Sequence, residues 1–442
     1  MQSLLPPGRA RSNRLRRLAF AAAAIAALAT PQFAAAADRF VPAAPEAGVD
    51  IPKATIKFGM RPYADNTFYY IGMKKGWFDD VGVSFEPAPY GLKANDSNVL
   101  TLMINGQLDM ISEYCPLILP MYKESRLLKC VGFTDNNQAF AILANPKLKL
   151  KTLKDYMAEG KTFAEALKLT LAPLAGKTLV GAPEISARPF EEGLATMSGL
   201  KWNLQVLDDA KSLVLAKAGR EDFVNPEGAP ITYTLRQAGW TDLVDIGDLV
   251  KYGPGGEGSP LEGLIDIVGV AANGDYVNKN QNTVLRFMSV VWRIFDETKK
   301  DPSLFDIQAP YLNSFAGTDL DGKGVATTVN MLDPFSPFQD GKAYYDDPKN
   351  LVYYKSVWNA IISDLESHSI IPKGTVTTDD VVWGGDIWRQ MVDYKAKSDD
   401  LFAKLGALTL TGDKKALFDK AKTLYAEFDF LDSYRLALAA SV

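Results

Sequence analysis

The sequence predicts an α/β protein of two lobes, with mostly parallel sheets, flanking helices, a ligand cleft between the lobes and a helical C-terminal extension. Three observations predict it. From Thr55 onward, short β-branched or apolar runs alternate with helical stretches, the pattern of βαβ units in a mostly parallel sheet. The alternation breaks after an apolar run at 140–144 and restarts at Lys177, so one set of units follows another. From Asn280 to the end helical periodicity takes over, with Trp292, Phe295, Trp358, Leu365, Trp383, Trp388 and Leu401 as core positions.

The elements follow in order. Residues 1–37 read as a secretory signal peptide: Arg9, Arg11, Arg14, Arg16 and Arg17 precede a small and apolar run at 18–30, and Ala34 to Ala37 supply the small side chains that the peptidase needs. Thirteen apolar residues fall well short of the roughly 20 that span a bilayer, which argues against an anchor. Arg16-Arg17 leaves a twin-arginine signal open. The mature chain is expected in the periplasm, cut near Ala37. A strand at 56–60 leads through the loop 61–67 into a helix that stops at Gly76. Strands at 83–87, 110–113 and 127–134 follow, separated by helices at 95–105 and 116–124. The second set has strands at 177–181, 204–207 and 222–225, helices at 188–197 and 210–218, and a return strand at 265–272. Residues 151–173 form a helical insertion, and 251–261 a Gly/Pro-rich surface loop with no phosphate-loop ending. These breaks place one lobe at 50–143 and 273–442 and the other at 144–272.

Composition excludes several function classes. Loss of the five leader arginines takes the net charge from −5 to −10, which disfavours nucleic acid and anionic lipid as partners. The expected partner is a small molecule or a protein surface. The single histidine, His368, lies in a polar helical stretch and reads as a solvated helix residue. One histidine makes a Ser-His-Asp or Cys-His arrangement and a zinc site improbable. No catalytic residue, cofactor or metal is expected. Reading 108–114 and 127–133 as neighbouring parallel strands puts the Cα atoms of Cys115 and Cys130 on the order of 10 Å apart, beyond the ~7 Å reach of a bridge, so both are expected as buried free thiols.

Open parallel sheets bind ligands outside the C-terminal ends of their strands. Here those ends hold Tyr63, Asn66, Thr67, Tyr90, Glu113, Tyr114, Glu184, Ser186, Arg188, Asn225 and Glu227, the candidate ligand-binding residues. Their chemistry is mixed. The tyrosines offer flat faces to a ligand, or pack within a lobe. Arg188, with Ser186 as a second donor, suits a carboxylate or sulfonate, or else pairs on the surface with Glu191 or Glu192. Glu113, Glu184 and Glu227 suit an amine, amidine or pyrimidine-type ring, although Glu113 also fits a charge at a helix N-terminus.

Several motifs carry a resemblance. Lys57-Phe-Gly59 followed by Tyr69-Tyr-Ile-Gly-Met-Lys-Lys-Gly-Trp-Phe78, Gly106-Gln-Leu-Asp109 with Pro116, Leu174-Ala-Gly-Lys-Thr178 before Pro183-Glu-Ile-Ser186, and Val268-Gly-Val-Ala-Ala272 stand in a fixed order over about 54–300. Together they resemble the type 2 periplasmic solute-binding proteins of ABC importers, in the branch serving nitrate, taurine, alkanesulfonates and thiamine-pyrimidine precursors. The resemblance implies a periplasmic binding protein fold, a cleft closing over one small molecule, hinges near 143–144 and 271–272, and delivery to an ABC permease in the inner membrane by a monomeric, non-enzymatic carrier. The 63–67 loop is similar to the first loop of the thiamine-precursor binders but lacks their neighbouring tryptophan, and the cysteine-rich motif of the related fungal synthases is missing. A membrane sensor's ligand-binding partner has the same expected features. An enzyme using Glu113 with Glu184 or Glu227 as acid and base is the further alternative.

Overall fold

The computed structural model describes residues 40–442 apart from 96–97, 182–186, 255–258 and 260, so the expected signal peptide, Glu184 and Ser186 lie outside the described residues. Two sheets organise the rest. The first runs β2 (Val83–Glu86), β1 (Ala54–Met60), β4 (Met110–Glu113), β11 (Asp266–Asn273) and β5 (Leu128–Asn137), with β3 (Leu92–Lys93) pairing β1 off this path. β1 is parallel to β2, β3 and β4, whereas β11 lies antiparallel between β4 and β5. The second runs β10 (Thr241–Asp245), β6 (Ala141–Ala144), β9 (Phe223–Asn225), β7 (Thr178–Gly181) and β8 (Asn203–Val206). Here β7 is parallel to β8 and β9, and β6 is antiparallel to β9 and β10.

Local physics explains most of these elements. In β1, Ile56 and Phe58 are buried while Thr55 and Lys57 are exposed, the two-residue period of a pleated strand. The helix Tyr69–Lys75 ends where Gly76 takes φ 74° and its N–H bonds back to the carbonyls of Gly72 and Met73, a conformation that glycine adopts without strain. The 151–173 insertion holds helices Leu153–Ala158 and Phe163–Leu171, each opened by a capping box, Thr152 with Asp155 and Thr162 with Glu165. Successive residues of β6 face opposite sides of the second sheet. Ile142 and Ala144 join a core with Leu179, Phe190 and Phe223, while Ala141 and Leu143 join one with Val180 and Val224.

The first sheet packs against the helical C-terminal part. Phe58, Tyr69 and Phe287 form its aromatic centre, with ring centroids 4.9 and 5.2 Å from Phe58. Trp292, Phe295, Trp358, Leu365, Trp383 and Trp388 are buried in the same core, and Leu401 sits half-buried in a separate cluster near the C-terminus. Arg286, buried on the helix Gln281–Lys300, ties the segment before β1 to the helix Phe430–Ser441: it grips Asp432 at 2.7 and 3.0 Å and Glu46 at 3.0 and 2.9 Å. No helix among the described residues is long and apolar enough to cross a membrane.

Three expectations change. The chain crosses between the sheets at 138–140 and 246–265, because β6 belongs to the second sheet and β11 to the first, so the drawn borders at 143–144 and 272–273 fall inside or at the end of strands. Helix Ala229–Gln237 and strand β10 had no assignment; β10 is a polar edge strand with only Leu243 and Val244 buried, so it carries little hydrophobic signal. Finally, β4 and β5 are not neighbours, since β11 separates them. Cys115 nevertheless sits 3.4 Å from where a side chain at Gly269 of β11 would begin. Both cysteines are free and buried. Burial, with the Cys130 thiol beside it, pushes the Cys115 thiol well above its ordinary value.

Candidate functional site

The site begins where β1 ends. Arg61 leaves the strand almost wholly buried, at 2% exposure, and its guanidinium faces carboxylates from both halves of the molecule. Nη1 donates to Glu113 Oε1 at 2.5 Å, at the end of β4, and Nη2 to Glu227 Oε1 at 3.4 Å, just past β9 of the second sheet. The same guanidinium lies 4.8 Å from the centre of the Tyr63 ring. Glu113 Oε1 also accepts the Tyr114 N–H at 2.8 Å. Across the gap, the Glu227 and Gly228 N–H groups donate to Asp209 at 3.2 and 2.7 Å, which fixes the loop after β9. A side chain at Gly228 would begin 3.0 Å from the Tyr63 ring, so the two loops meet closely here.

These residues wall a small chamber of about 20 Å³. Arg61, Tyr63, Asp65 and Asn66 come from the β1 loop and the short helix Ala64–Thr67, with Tyr114 beside them. Glu227, Gly228 and Ala229 face them from the second half. Asn137 and Asp266 are paired in the β5–β11 register and joined by a 3.1 Å hydrogen bond from Asn137 Nδ2, and Asp333 follows the helix Gly322–Leu332. Tyr63 and Glu227 also line a wider space of about 190 Å³, whose other walls include Pro62, Asp208, Asp209, Pro230, Ile231 and Phe315.

The chamber is strongly acidic. One guanidinium serves Glu113 and Glu227, while Asp65, Asp266 and Asp333 line the same space and Asp135 is buried nearby in β5. Burial pushes the Asp65 carboxyl up to about 6, against the opposing pull of Arg61. Burial, then the negative charges of neighbouring aspartates, pushes Asp135 and Asp333 well above the ordinary carboxylate range. Asn66 donates its amide to Asp65, leaving its own buried Oδ1 without a partner.

The candidate residues named from the sequence separate into groups. Tyr63, Asn66, Tyr114 and Glu227 line the chamber, and Glu113 holds Arg61 from behind. Thr67 turns away to the Tyr63 carbonyl and Gln308, at 2.8 and 2.9 Å. Tyr90 packs edge-on to Tyr70 and meets Lys74 at 3.2 Å. Asn225 is buried against Glu191, 2.9 Å away.

Arg188 does not line the chamber. It bonds to Asp364 at 2.7 Å and lies 3.7 Å from Glu192, which bears out the ion-pair reading of this residue with a partner from the remote helix Tyr354–Ser367. His368 caps that helix, half-exposed, with Glu192 at 3.3 Å and Asp364 at 3.2 Å rather than solvent alone around it. Glu192, Asp364 and His368 lie close enough to share an ion, but Arg188 already occupies the two carboxylates.

Reasoning from strand ends missed Arg61, Asp65, Asn137, Asp266 and Asp333. Arg61 and Asp65 lie in the loop it selected, and counting charge there would have found them. Asp266 starts an antiparallel strand and Asp333 follows a helix of the C-terminal part, so no strand-end rule reaches either.

No family model matches the chain. No curated protein matches it in sequence. Solved structures do match in shape. The alkanesulfonate-binding protein SsuA of Xanthomonas axonopodis pv. citri, bound to MOPS, is 17% identical, covering 75% of this chain and 99% of its own, with a TM-score of 0.52. The periplasmic aliphatic sulphonate binding protein SsuA of Escherichia coli is 15% identical over 74% of this chain and 92% of its own, with a TM-score of 0.51. The periplasmic nitrate-binding protein NrtA of Synechocystis PCC 6803 is 14% identical over 76% and 88%, with a TM-score of 0.51. At these identities the likeness is one of fold, on which sites diverge freely. The fold is that of the periplasmic solute-binding proteins, as the sequence motifs implied.

Proposed function

We propose that this chain is an exported solute-binding component of an ABC importer, which captures a small organic solute between its two halves and presents it to an inner-membrane permease without transforming it. The observation that carries the reading is the chamber itself, walled on one side by the loop after β1 and on the other by the loop after β9. Such a site is completed only when the halves approach, so a ligand that touches both selects the closed arrangement by its differential affinity. The two crossings, at 138–140 and 246–265, are where the halves would swing. The structural neighbours that bind sulfonates and nitrate support the same role.

Tyr63, Asn66, Tyr114 and Glu227 are the proposed contacts, with Glu113 acting through Arg61. The test is a thermal-shift screen of the chain from Asp38, refolded from denaturant so that any carried ligand is lost. At 100 times its dissociation constant a true ligand stabilises by about 2.7 kcal/mol, a readily visible shift. A saturable shift with an unchanged solute is the expected result. Turnover of a solute, with no saturable shift from any of them, would overturn it.

A further inference from the structure

We propose that the solute is an organic cation with a hydrogen-donating head, an amine, amidine or guanidine, seated against Asp333, Asp65 and Asn66 with its body toward Pro230, Ile231 and Phe315. This rests on the carrier reading and names its substrate class. The charge balance is the first argument. Arg61 is committed to Glu113 and Glu227 and covered by Tyr63, so an incoming anion would have to displace two carboxylates from a guanidinium already buried with them. Asp65 shares the pull of that same Arg61, and Asp333 forms no ion pair among the described residues.

The second argument is independent of charge. Asp333 is 1% exposed, lines the chamber, and its Oδ2 has no hydrogen-bond partner; Asn66, also 1% exposed and lining it, has an unpartnered Oδ1. Asn66 Oδ1 can only accept, and Asp333 Oδ2 is an acceptor whenever the carboxyl is ionised, the form a bound cation favours. A buried acceptor left unmade costs free energy that a donating ligand returns, so the chamber selects donors rather than a sulfonate or nitrate, which can only accept. Burial raises the Asp65, Asp135 and Asp333 carboxyls, and neighbouring aspartates add to the rise at Asp135 and Asp333. The wider space supplies apolar walls for the body, with Asp208 and Asp209 at its rim.

A single metal ion fits less well. Among the described residues, the acidic and histidine side chains gathered closely enough to share one are Glu192, Asp364 and His368, away from the chamber.

The experiment uses the refolded full mature chain and isothermal titration with butylamine, benzamidine, agmatine, butanesulfonate, nitrate and calcium chloride. Saturable binding of one or more of the three organic cations, weakened about ten- to hundredfold in Asp333→Asn, is the expected result. Asn66→Leu, which removes the neutral acceptor without touching charge, should weaken the same probe. Binding of butanesulfonate or nitrate alone would overturn the cation assignment and leave the carrier reading standing, and calcium alone would do the same. Unchanged affinity for an organic cation in both variants would overturn the seat. No binding by any probe would count against both readings.

Discussion

Replacing Arg61 by methionine probes the ion pair on which the chamber is built. Arg61 is 2% exposed and Glu113 fully buried, so the substitution leaves Glu113, and in part Glu227, as charges shut away from water with no counter-ion. Removing one partner of a buried pair costs about 3–5 kcal/mol, whereas an exposed pair is worth at most about 1. The Arg61–Glu113 contact belongs to the first class because neither side chain meets solvent. Urea unfolding followed by tryptophan fluorescence measures the loss as a fall in midpoint at constant slope. Glu113→Gln removes the charge and keeps an acceptor, so the double variant should recover part of the Arg61→Met loss, with a coupling of at least about 1 kcal/mol. A carboxyl stripped of its cation escapes the cost by taking up a proton, so the loss shrinks toward acid pH. A loss below about 1 kcal/mol at pH 7, or strict additivity of the two changes, would refute the reasoning.

Three other outcomes follow from the geometry. Burial raises Asp65 from 3.8 to about 6, so the folded state holds a proton that the unfolded state releases; that stability is present below about pH 4 and is lost as pH rises through 6, by on the order of 2–3 kcal/mol, and Asp65→Asn should flatten this part of the stability curve. Arg188→Ala should cost under about 1 kcal/mol and leave the affinity of any chamber ligand within twofold, because its partners Asp364 and Glu192 are partly exposed and the residue lies outside the chamber; a tenfold loss of affinity would return it to the site. Gly269→Ala would put a methyl 2.3 Å from the Gly132 carbonyl oxygen, a backbone atom that cannot turn aside, and should cost about 3 kcal/mol in chemical unfolding. Gly132→Ala meets only the flexible end of Met288, at 2.4 Å, and should cost less.

Much of the fold was legible in the chain because its signals are local. The two-residue period of β1, the glycine stop at Gly76, the strand at 110–113 and the capping boxes of the 151–173 insertion each depend on neighbours a few residues away. The rule that ligands meet the C-terminal ends of parallel strands led to Tyr63, Asn66, Tyr114 and Glu227, which line the chamber, but also to Tyr90, Asn225 and Arg188, which do not. A strand end restricts where a side chain begins and says nothing about which way the packing turns it.

By itself the sequence determined the alternating α/β order, the helical C-terminal part and the acidic balance, all of which follow from periodicity and composition. Only the tertiary structure decided that β11 inserts antiparallel between β4 and β5, separating two strands that read as neighbours and setting Asp266 beside Asn137. It also decided which acids converge. Residues 61 and 65 share one loop while 113, 135, 227, 266 and 333 come from five other places in the chain, and the field they create exists only once burial brings them within reach of one another and removes the water that would screen them.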